Sequence, residues 1–88
     1  MGNTFIISYD LKEGSDYEPL INRIKEYGTW AHITLSTWAI VTENSASEVR
    51  DVLKPLVGEE GRLLVVQSAH VAAWSNVMCS NDWMKNNL

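Results

Sequence analysis

The chain has 88 residues, enough for one domain with one modest core, and its net charge of −4 with a pI near 4.9 argues against a broad basic surface for gripping phosphates. A single cysteine, Cys79, excludes an internal disulfide framework and any cluster of cysteine metal ligands. No apolar run approaches the length of a membrane span and the amino terminus lacks the pattern of a signal peptide, so a cytoplasmic location and no membrane partner are expected.

Residues 4–11, Thr-Phe-Ile-Ile-Ser-Tyr-Asp-Leu, read as a strand covered on both faces, with Asp10 near its carboxyl end. Ser15 stands three residues before Glu18, the spacing of a capping box, and Tyr17, Leu20, Ile21, Ile24 and Tyr27 then repeat at helical spacing. Pro19 is tolerable in the first turn of that helix, and Gly28 closes it. Thr29 to Glu43 is rich in Trp, Ile, Thr and Val but too long for one average strand. It divides near Leu35-Ser36 into strands over about 30–35 and 37–42, joined by an irregular or bulged link because no Asn-Gly turn marks the division, the alternative being one long bent strand.

Ser45 and Glu48 form a second capping box before Val49, Val52, Leu53, Leu56 and Val57, which predict a second helix whose last turn Pro55 should distort. Arg62 to Gln67 encloses a short apolar run that reads as a further buried strand. Residues 72–88 read as a helix or an arm, with Trp74, Val77, Met78 and Trp83 available for packing. The order strand, helix, strand, strand, helix, strand predicts a single α+β domain over 1–88, a ferredoxin-like βαββαβ sandwich with a C-terminal helical or extended tail over about 72–88. Both helices then share one sheet face. The other face needs the tail or a second subunit as cover, and four tryptophans in so short a chain suit an interface, so a homodimer is expected.

A carboxylate at the rim of a rigid sheet is a candidate metal ligand or base, which singles out Asp10; the competing reading is a solvated strand terminator. Alternation in the hairpin would place His32, Thr34 and Ser36 on one face, where they could hydrogen-bond a nucleotide, although a polar solvent face is the commoner explanation. His70 lacks a cysteine or carboxylate at metal-binding spacing. Trp30, Trp38, Trp74 and Trp83 could stack bases, but without interleaved basic residues they read better as core and interface. Ser36 and Ser68 lack a Gly-x-Ser-x-Gly context, Cys79 lacks a nucleophile motif, and there is no Gly-rich phosphate loop.

The run Ile6-Ile7-Ser8-Tyr9-Asp10-Leu11, the helix end Tyr27-Gly28-Thr29-Trp30 and the stretch Ser36-Thr37-Trp38-Ala39-Ile40 together resemble the small CRISPR-associated Cas-two proteins and their VapD-like and SinR-like relatives. The resemblance spans roughly residues 4–68. It implies a ferredoxin-like homodimer in which Asp10 approaches its symmetry mate and the pair can hold a divalent cation, Mg²⁺ suiting such oxygen ligands. It also implies two activities known in that family, metal-dependent nuclease action and non-catalytic DNA scaffolding, and it places Tyr9 and Ser36 beside the carboxylate. The expectation is therefore a small dimeric protein that binds nucleic acid or a nucleotide, with Asp10 as candidate catalytic and metal residue of a phosphodiesterase and Tyr9, Ser36, His32 and Thr34 as ligand-binding candidates. The alternative, which suits the acidic balance and abundant tryptophan, is a non-enzymatic interaction protein that sequesters a nucleotide-like ligand or inhibits a protein partner, a phage anti-defence protein being one such case.

Overall fold

The computed structural model describes residues 2–88. Its elements are β1 (Asn3–Asp10), α1 (Glu18–Lys25), β2 (Trp30–Thr34), β3 (Thr37–Thr42), α2 (Ala46–Val57), β4 (Arg62–Gln67) and α3 (Asn81–Asn87). The four strands form one sheet in the order β2-β3-β1-β4, and each neighbouring pair is antiparallel. The fold is α+β.

Alternation along the strands sorts the apolar residues into two layers. Phe5, Ile7 and Tyr9 of β1 and Trp38 and Ile40 of β3 meet Leu20 and Ile24 of α1 and Val49, Leu53 and Val57 of α2 in the main core. Full burial of each such aliphatic side chain contributes about 1.5–3 kcal/mol, so this layer carries most of the stability. On the opposite face Ile33, Ala39 and Met84 form a smaller core, joined by Ile6, Trp74, Val77 and Trp83. The tail covers part of this face. Thr4 of β1 donates its hydroxyl proton to the Asn87 carbonyl, which pins the end of α3 over the amino-terminal half of β1.

The two expected capping boxes meet different outcomes. Ser15 does not cap α1: its N–H closes a turn onto the Lys12 carbonyl, while Asp16 Oδ1 accepts from the Glu18 N–H at 3.0 Å. Asp16 is one residue nearer the helix, within reach of its first exposed N–H. Ser45 does cap α2, accepting from the Glu48 N–H at 3.2 Å while its own N–H donates to Glu48 Oε1 at 2.9 Å. Pro55 lies inside an α2 that remains helical to Val57. The carbonyl that loses its donor belongs to exposed Asp51, which solvent can reach.

Gly61 begins the path into β4 where a Cβ would stand 2.0 Å from the Val57 carbonyl oxygen. No other residue permits that approach of turn to helix. The β2–β3 hairpin turns through Leu35-Ser36 with a register shift between His32 and Thr34, the irregular link that the absent turn motif implies.

Candidate functional site

Asp10 is the last residue of β1, directly across from Arg62 of β4, and the two side chains form an ion pair with Arg62 Nη1 2.8 Å from Asp10 Oδ2. Both are well exposed. Alternation puts Asp10 and Ser8 on the face that α3 partly covers, but α3 lies over the other end of β1, so this end is open. Leu64, across from Ser8, is 58% exposed and Val66, across from Ile6, is 45% exposed. The result is a half-face with two apolar side chains and an ion-paired carboxylate at its rim.

Tyr9 points the other way. Its ring is 4% exposed in the main core, its hydroxyl accepts from Trp38 Nε1 at 3.0 Å and donates to the Leu35 carbonyl at 3.4 Å, and the Tyr17 ring stands 5.8 Å away. Burial raises the Tyr9 pKa above its usual 10.0; the Trp38 hydrogen bond opposes the shift and Tyr17 adds to it. The chain brings Tyr9 to Asp10 in sequence and separates the two side chains across the sheet.

The expected polar row of His32, Thr34 and Ser36 is not formed. His32 pairs with Trp38, a residue of the main-core face, whereas Thr34 pairs with Thr37, which alternation places on the opposite face. The bulge between them divides the row. His32 stacks on Trp38, with ring centroids 4.1 Å apart and planes within 9°, and its Nε2 hydrogen-bonds the Leu35 carbonyl at 3.1 Å. Ser36 belongs to the hairpin turn and contributes its carbonyl to the Tyr9 N–H at 3.1 Å. Of the predicted ligand-binding residues, Tyr9, His32 and Ser36 thus meet at the Leu35-Ser36 turn as one hydrogen-bonded cluster, and Thr34 stands outside it, as does Asp10, the predicted catalytic and metal residue.

For Mg²⁺, one chain supplies Asp10 alone, and Arg62 already occupies that carboxylate. Glu60, which lines one shallow cleft with Asp10 and Arg62, is paired with Lys12 at 3.0 Å. Among the described residues no group of three or more His, Cys, Asp or Glu is placed to hold a metal ion. His70 is exposed in a left-handed turn with φ of 65°, its N–H on Ser68 Oγ.

Two participants escape sequence reasoning. Arg62 is recognisable only through the β1–β4 register, because it lies far along the chain from Asp10. Lys25 at the end of α1 places its ammonium 5.1 Å from the Trp30 ring centre and 5.9 Å from that of Trp38, a cation among aromatics that helical periodicity alone presents as a solvated lysine. No family model matches the chain, and no curated protein matches it either. Among the described residues no helix is long and apolar enough to cross a membrane.

Proposed function

We propose that this chain is a non-enzymatic binding protein of the ferredoxin-like, Cas-two-like type that works as a homodimer and takes a nucleotide or nucleic-acid ligand. The strand order β2-β3-β1-β4, with α1 and α2 on one face, supports the fold assignment. The observation that carries the non-enzymatic reading is the Asp10–Arg62 pair: the leading candidate for catalysis is ion-paired with a guanidinium, and among the described residues no group of three or more His, Cys, Asp or Glu is placed to hold a metal ion. The uncovered half-face with Leu64 and Val66 favours a second copy as its cover, since two such faces bury each other's apolar side chains.

One observation favours a second reading, a Mg²⁺-dependent phosphodiesterase assembled by two chains. Asp10 sits at the rim of that same half-face, where a two-fold axis could bring its mate close. Wild type and Asp10→Ala incubated with labelled single-stranded and double-stranded nucleic acid and with nucleotides, with Mg²⁺ or a chelator, separate the two. Binding without cleavage in both proteins is the expected result. Mg²⁺-dependent cleavage that Asp10→Ala abolishes would establish the phosphodiesterase instead.

A further inference from the structure

The two edges of the sheet differ in what covers them. On β2 the tail approaches as a partial cap: the Met78 N–H donates to the Ile33 carbonyl at 2.9 Å, closing that end of the edge. The neighbouring stretch stays open. Because the Val41 N–H bonds the Thr29 carbonyl, the ladder's alternation joins Thr29 and Ala31 to β3 and turns the N–H and C=O groups of Trp30 and His32 outward. Between this open stretch and the tail lies a cleft of about 280 Å³, lined by Trp30, His32, Met78 and Trp83. Trp30 is 36% exposed, the most open of the tryptophans, and Lys25 stands by its ring.

We propose that this cleft is a nucleobase-binding site, with the indoles of Trp30 and Trp83 as stacking surfaces, the outward main-chain groups of Trp30 and His32 as hydrogen-bond partners for the base edge, and Lys25 as the cation that meets the attached phosphate. Each part follows from the chemistry of such a ligand. A base offers two π-faces and an edge that alternates donors and acceptors, and aromatic side chains bind it with little regard to sequence. A strand edge offers the same alternation of N–H and C=O. An added peptide strand fits less well, because Met78 closes the edge after Trp30 and His32 and leaves too short a ladder. The site rests on the nucleotide reading above and gives it a location away from Asp10. Free nucleotides and unpaired bases of a single strand share this chemistry.

The test is a titration of ¹⁵N-labelled protein with AMP, with ribose 5-phosphate and with a short oligodeoxyadenylate, followed through the indole and backbone N–H signals. AMP and the oligonucleotide are expected to shift Trp30 and Trp83 while buried Trp38 stays, and ribose 5-phosphate, which lacks the base, is expected to bind far more weakly. Trp30→Ala should weaken AMP on the order of tenfold, the size of a single base stack, Trp30→Phe should retain most of the affinity, and Lys25→Gln should weaken AMP and flatten its salt dependence. Tighter binding of the oligonucleotide assigns the site to single strands, and equal binding assigns it to free nucleotides. Ribose 5-phosphate binding as well as AMP would overturn the site. Shifts confined to Ser8, Asp10 and Arg62 would overturn it while leaving the nucleotide-binding function standing, whereas no binding by any probe would remove both.

Discussion

Tyr9 and Trp38 share a hydrogen bond inside the core, and the two partners do not lose equally when it is broken. Tyr9→Phe leaves the Trp38 N–H buried and without its acceptor, a change expected to cost about 1–3 kcal/mol in urea unfolding. Tyr27 presents the opposite case. Its hydroxyl is buried and, apart from a marginal approach to Asn44, completes no hydrogen bond among the described residues, so Tyr27→Phe should be close to neutral in the same measurement. Burial raises the pKa of Tyr27 as it does that of Tyr9, with Arg23 and Asn44 opposing the shift and Glu48 adding to it. Above pH 10.0 the unfolded chain therefore releases these phenolic protons while the native state keeps them. Stability should fall as pH rises from there through the raised native values, and Tyr9→Phe should reduce the slope. The position of Asp10 at a strand end is legible from the residues around it, but its partner is not, since the ion pair spans the β1–β4 register.

At the scale of the element, α2 has the most local logic: a capping box at Ser45, apolar residues at helical spacing, and a close turn at Gly61. Ser45→Ala should cost about 1 kcal/mol through loss of the cap, read as a lower urea midpoint with an unchanged slope. These features are readable because each involves residues within a turn or two. The hairpin is different. Its two strands are legible in composition, yet the shift between His32 and Thr34 depends on how β2 meets β3, and it splits a row that simple alternation predicts as continuous. In α2, Pro55 lies inside a helix that runs to Val57 and ends at Gly58, and the packing of Val49, Leu53 and Val57 in the main core supports that last turn despite the missing hydrogen bond.

For the whole molecule, the tail covers only part of the second sheet face, and the remainder predicts association. Sedimentation at micromolar concentration is expected to show a dimer, and Leu64→Glu, which sets a charge on the open half-face without touching the main core, is expected to give a folded monomer. A wild-type chain that sediments only as a monomer would remove the homodimer. The sequence by itself determined the order of the four strands and the first two helices, the aliphatic residues of the main core and the place of Asp10 on its strand, because periodicity, caps and turn residues act between near neighbours. Only the tertiary structure decided that Arg62 holds Asp10, that Tyr9 turns into the core, that His32 and Thr34 part, and that Trp30 and Trp83 line one cleft. Those contacts join residues distant along the chain, and their energies come from sheet register and layer packing, which local sequence does not encode.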